Sequence, residues 1–140
     1  PLFWGAMIGA PVVWSGIVWI FGFGFDFGSF ARWSFKTAAI LLIFPVLEEI
    51  VFRGLIQDYL SNRTTGCDSF LGITWANWLT TLLFCVTHLV TRSLLVASLV
   101  IVPSLLLGAL RDRGFSIKAL AAIHVYWNGG VYLLIGLPSS

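Results

Sequence analysis

The sequence is short of charge. Of its 140 residues only 10% are Asp, Glu, Lys or Arg against 59% hydrophobic, and the net charge is +2. A soluble domain carries about a quarter charged residues, so a water-exposed globule is excluded. The basic residues are few and scattered, which leaves no basic face for nucleic acid. Cysteine is scarce as well. Cys67 in a polar linker and Cys85 in an apolar run share no metal-ligand spacing and give no disulfide framework. No serine or cysteine stands in a nucleophile motif, and the zinc signature His-Glu-x-x-His is missing. Nor is there an internal repeat or a low-complexity segment.

What the chain does have is apolar length. Mean hydropathy is +0.96, and a membrane-crossing helix takes about 20 residues, so the chain has room for about five crossings. The expected fold is all-α: a polytopic membrane helix bundle of about five transmembrane helices, multi-pass in the cell membrane, with residues 1–140 forming a single domain. The helices are expected at about Leu2 to Phe23, Ser34 to Leu60, Ile73 to Val90, Leu94 to Leu110 and Ile117 to Leu137. Gly22 to Asp26 reads as a Gly-rich turn, Ser61 to Ser69 as a polar linker, and Arg111 to Gly114 as an exposed turn. Gly5, Gly9 and Gly16 offer close approach to neighbouring helices, and Trp4 and Trp19 suit the two interfaces. The fourth helix holds no ionisable group before its end and reads as packing. Arg63, Arg111, Arg113 and Lys118 outnumber Arg32, Lys36 and Arg92 on the opposite side, a lean that places the first group in the cytoplasm.

Against this background one stretch stands out, Phe44 to Asp58, where Glu48, Glu49 and Arg53 interrupt an otherwise apolar run. Each charge at the centre of a spanning helix costs about 2.5–3.5 kcal/mol on insertion scales, so the three must face protein or a wet cavity. Glu49 and Arg53 are four apart with the acid first, the favourable order for an ion pair on one helix face. Glu48 points roughly 100° away, and its partners are expected on other helices. Pro45, just before the acids, removes a backbone hydrogen bond and is expected to kink the helix there.

Only two histidines occur, and both fall inside apolar helices. His88 lies four residues after Phe84, and Asn128 lies four after His124, so each pair shares a helix face. At 1.5 Å per residue, Glu48 lies about 18 Å from Leu60, Asn128 about 18 Å from Ser116 and His124 about 12 Å from Ser116, which are compatible depths. An acid to deprotonate water and donors aimed at the developing oxyanion are what peptide hydrolysis requires.

Three motifs in this order carry a resemblance. Glu48-Glu49-Ile50-Val51-Phe52-Arg53-Gly54 is similar to Glu-Glu-x-x-x-Arg, Phe84 to His88 is similar to Phe-x-x-x-His, and His124 to Asn128 is similar to His-x-x-x-Asn. Together they resemble the CPBP family of intramembrane proteases, also called the CAAX protease and bacteriocin-processing or Abi family, over about Phe35 to Leu134. The resemblance implies an intramembrane endopeptidase cutting near the C-terminus of a membrane-anchored or lipidated protein substrate. It further implies that Glu48 with His88 activates water, that His124 and Asn128 stabilise the oxyanion, and that Glu49 with Arg53 supports the site. Two histidines and a glutamate would also suffice for a catalytic zinc, but the likeness to a glutamate-dependent prenyl endopeptidase favours a site with no metal or other cofactor. The alternative of another class is a non-catalytic membrane scaffold or immunity protein, in which the same polar groups only bond helices together.

Overall fold

The computed structural model describes residues 2–21, 34–64 and 69–135. The Gly22–Asp26 turn and Cys67 lie outside the described residues. The elements are α1 (Leu2–Phe21), α2 (residues 35–63), α3 (Trp75–Leu89), α4 (Leu94–Leu99), α5 (Ile101–Asp112) and α6 (Ile117–Ile135). The chain is thus all-helical among the described residues, apart from a single bridge between Phe70 and Ile73. It divides into two compact units, Pro1–Leu47 with Ala121–Ser140 and Glu48–Leu120.

The expected second helix is extended at its C-terminal end and altered in its geometry. It starts at Phe35, capped by the Ser34 hydroxyl, which accepts from the Thr37 amide at 3.2 Å. It runs on through Asp58–Arg63, so Ser61, Asn62 and Arg63 are helical and not linker. Two segments, Ala39–Ile43 and Glu49–Gln57, are π-helical. The Phe44 amide reaches back five residues to the Ala39 carbonyl. That wider turn just before Pro45 accommodates a residue that has no N–H to give and whose ring crowds the preceding turn.

The fourth helix is broken where the sequence reading ran straight through. Residues 94–99 and 101–112 are separate pieces joined at Val100. Pro103 then sits in the first turn of α5, where an N–H would have no partner inside the helix. Arg111 and Asp112, expected in an exposed turn, instead close the last turn of α5, and the chain reverses after them at Gly114 with φ +83. Entry to α3 is set by a tight turn, Phe70–Ile73, closed by reciprocal backbone bonds of 3.0 and 3.1 Å with Leu71 and Gly72 in the left-handed region. The Thr74 hydroxyl caps α3 by accepting from the Asn77 amide.

In the first unit α1 meets α6 at Trp14 and Trp127, and not through the expected glycines. A Cβ built on Gly5, Gly9 or Gly16 would meet nothing within 4 Å. Ala6 and Ala10 are the buried positions instead, and Trp127 Nε1 donates to the Ala6 carbonyl at 3.1 Å. Gly130 admits the Trp14 ring, and a Cβ there would overlap that indole. Trp14 also lies against Tyr126, with centroids 5.0 Å apart.

Burial runs inside-out. Trp4, Trp19, Leu55, Leu82, Leu94 and Val102 are exposed, whereas Glu49, Arg53, Gln57, Asn77 and Ser104 are buried. In water this arrangement forfeits the hydrophobic driving force; in a bilayer it is the favourable one, because apolar side chains are already solvated and polar groups must find partners inside. Two stretches, Phe3–Ile20 and Leu94–Asp112, are long and apolar enough to cross a membrane among the described residues.

Within the second unit α5 comes close to α3 at Gly108, where an added Cβ would overlap the Asn77 side-chain amide. Gly108→Ala is therefore expected to destabilise the protein by about 1–3 kcal/mol through overpacking. Reversible unfolding in detergent measures it, and a variant as stable as the parent would contradict this packing.

Candidate active site

Three stripes converge in the second unit. On α2, Glu49, Arg53 and Gln57 recur every four residues, and each is 0% exposed. On α3 the matching face carries Asn77, Thr81 and Phe84, all buried, and then His88, half-buried. On α5 it carries Ser104 and Gly108. The four-residue spacing is what lets one helix offer a continuous polar stripe while its other faces stay apolar.

Arg53 joins the three. Its Nη2 donates to Ser104 twice, to the carbonyl at 3.0 Å and to Oγ at 2.9 Å. Its Nε lies 3.4 Å from Glu49 Oε2, an ion-pair distance four residues along the same helix. Its Cζ stands 5.1 Å from the centre of the Phe84 ring, so the cation also rests on an aromatic face. The bonds beyond Ser104 have a direction. Thr81 Oγ1 donates to Asn77 Oδ1 at 3.3 Å, and a hydroxyl has one proton, so at the 2.9 Å contact between Thr81 and Ser104 it is Ser104 that donates. The Asn77 amide then donates to the Leu105 carbonyl at 3.0 Å.

One turn further along α2, Gln57 Nε2 donates to the Gly108 carbonyl at 2.9 Å and to Asp112 Oδ1 at 2.7 Å. Asp112 Oδ2 accepts from the Thr74 hydroxyl. Arg111 closes the end with a two-pronged pair to Asp58, its Nε 2.9 Å from Oδ1 and its Nη2 on Oδ2.

At the other end the stripe turns aromatic and reaches a histidine. Phe52 packs edge-on against Phe84 with centroids 5.0 Å apart, and the Phe84 ring lies 4.3 Å from the His88 ring. His88 Nδ1 is 2.9 Å from the Phe84 carbonyl oxygen. A carbonyl only accepts, so Nδ1 carries the proton; in the neutral ring this leaves Nε2 with the lone pair.

Of the six side chains singled out in the sequence, four lie in the second unit. Glu49 and Arg53 form the pair expected from their spacing, and Arg53 connects through the Phe84 ring to His88. Glu48 is half-buried at the start of this unit. His124 and Asn128 belong to the first unit, half-buried on one face of α6 in line with the buried Tyr132. Ser104, Gln57, Asn77 and Thr81 were not anticipated. The helix that read as plain packing accepts the Arg53 guanidinium at Ser104 and the Gln57 amide at Gly108. A signal was present for Gln57, four residues beyond Arg53, and for Asn77 and Thr81, on the face that leads to Phe84 and His88. Among the described residues no group of three or more His, Cys, Asp and Glu is gathered as metal ligands would be.

Among the described residues the fold is helical, with many large apolar side chains outward and Glu49 and Arg53 paired inside, an arrangement that suits a membrane. The family model of the type II CAAX prenyl endopeptidases, Rce1-like, matches residues 30–130, and the chain belongs to that family. Membership supports an intramembrane endopeptidase in general, and implies a prenylated, membrane-associated protein as substrate. No curated protein and no solved structure gave a match.

Replacing Arg53 by Met takes the cation of this ion pair away from the buried Glu49 carboxylate, and is expected to cost about 3–5 kcal/mol. Adding Glu49→Gln to that variant should return most of the loss. Unfolding of both variants in detergent measures the difference, and equal stabilities would contradict the pairing.

Proposed function

We propose that this protein is a multi-pass intramembrane endopeptidase of the cell membrane, with about five crossings forming a single catalytic domain, that hydrolyses a peptide bond near the C-terminus of a prenylated membrane protein. In this reading Glu48 takes a proton from water while His88, through Nε2, orients that water. Hydroxide adds to the scissile carbonyl carbon, and the oxygen that becomes negative accepts hydrogen bonds from His124 and Asn128. Glu48 then gives its proton to the departing amine as the carbon–nitrogen bond breaks. Glu49 and Arg53 hold the helix that presents Glu48.

The observation that carries the reading is that the first two family motifs meet in space. Arg53 of the first rests on Phe84 of the second, and Phe84 stacks on His88. The ring nitrogen that remains for chemistry is set by the bond from Nδ1 to the Phe84 carbonyl oxygen, which fixes ring orientation and tautomer together. The assignments of His124 and Asn128 rest on the third motif and on their shared helix face. The metal-free reaction rests on the missing His-Glu-x-x-His signature and on the likeness to a glutamate-dependent prenyl endopeptidase.

Glu48→Gln keeps the shape of the side chain and removes the base. Cleavage of a prenylated C-terminal substrate by the folded variant should fall by about 10²–10⁴-fold. Full activity would overturn the assignment, and a variant that fails to fold or loses its assembly would favour the scaffold reading. Activity of metal-stripped protein is expected to persist in chelator; inhibition reversed by added zinc would replace the metal-free mechanism with a zinc-dependent one.

A further inference from the structure

Apart from Glu49 Oε2 and Arg53 Nε, which face each other across the ion pair, three polar atoms in the second unit are buried with no hydrogen-bond partner: Arg53 Nη1, Gln57 Oε1 and Thr80 Oγ1. Their residues are each no more than 1% exposed. An orphaned buried polar atom forfeits about 1–3 kcal/mol, so three in one region call for a common explanation.

Thr80 is the informative one. Three other hydroxyls of this chain fall back on backbone carbonyls three or four residues earlier: Thr64 donates to the Leu60 carbonyl at 2.9 Å, Thr87 to Phe84 at 2.8 Å and Ser98 to Leu94 at 2.8 Å. That bond is available to any helical threonine. Thr80, although buried, does not make it. Its position is bracketed by its neighbours on α3: Phe84, four residues on, touches Arg53, and Asn77, three residues back, lies against Gly108, whose carbonyl receives Gln57. Thr80 therefore lies on the side of α3 that faces α2, at the level between Arg53 and Gln57, which are one turn apart.

The donor count selects the ligand. Arg53 Nη1 can only donate and Gln57 Oε1 can only accept, while the Thr80 hydroxyl does either. An anion would be repelled by the amide oxygen and a cation by the guanidinium. A neutral molecule with one acceptor face and two protons suits all three. We propose that the second unit holds one buried structural water that accepts from Arg53 Nη1 and donates to Gln57 Oε1 and Thr80 Oγ1. Three bonds is the usual number for a buried water. The molecule ties α2 to α3 on the side away from Ser104, so that the guanidinium is held from both sides. It is separate from the water that Glu48 is proposed to activate, and it is present whether or not the protein cleaves anything.

An experimental density map of the full chain at a resolution that shows ordered solvent tests this directly, together with the isosteric variant Thr80→Val. The proposal expects a solvent peak within hydrogen-bond distance of the three atoms. It also expects Thr80→Val to shift the unfolding equilibrium in detergent roughly fivefold or more toward the unfolded state, with Thr80→Ser close to the parent. If the hydroxyl merely stood unsatisfied, replacing it by a methyl would leave stability unchanged or raise it. That outcome, or a map showing ordered solvent elsewhere and none at these atoms, would overturn the proposal.

Discussion

A guanidinium cannot be left bare in lipid, and much of the second unit follows from where Arg53 is put. With no water in the hydrocarbon region to solvate it, every N–H of the side chain has to be answered by protein or by something protein holds. The answer comes from three helices. Glu49 supplies the counter-charge from the same helix, Ser104 supplies two oxygens from α5, and Phe84 supplies a π-face from α3. None of these is strong alone in exchange for lost solvation. Together they fix the rotation of three helices about their axes, because turning any one of them would strand a buried polar group.

That constraint places the chemistry. Phe84 is shared between the Arg53 cation and the His88 imidazole, so the ring that anchors the ion pair also sets the attitude of the histidine. Glu48 is the residue next to Glu49 and points off the stripe, midway along α2 where the second π-helical segment begins. A hydrolytic site needs acids and imidazoles that do not drift, and rotamers locked by packing and hydrogen bonds are how a protein supplies that. At the opposite end, the Asp58–Arg111 pair and the Gln57–Asp112–Thr74 chain do the same for the helix ends. There the Asp58–Arg111 pair is partly exposed, so solvent screening makes it worth less.

The pattern of what could be read in the sequence follows from the same physics. Spacing along one helix is local information, so the Glu49–Arg53 pair and the shared face of Phe84 and His88 were legible. Rotation of one helix against another is not local. Gly5, Gly9 and Gly16 therefore looked like the contact stripe of α1, whereas Ala6 and Ala10 are the buried residues. Ser104 belongs to the helix that read as packing, yet it is the acceptor for Arg53. Prolines were visible but their consequences were not uniquely set: Pro45 is accommodated by a widened turn, and Pro103 by a break at Val100 that makes it a first-turn residue. The three motifs were legible as a family resemblance, and the family match over residues 30–130 agrees with it.

The central claim is that Arg53 and Ser104 hold each other across α2 and α5. A double-mutant cycle of Arg53→Met and Ser104→Ala, followed by reversible unfolding in detergent, measures their coupling. The account predicts an interaction energy of about 0.5–3 kcal/mol, as for residues in one hydrogen-bond network. Effects that add to within about 0.3 kcal/mol would mean the two side chains act independently, and would contradict it.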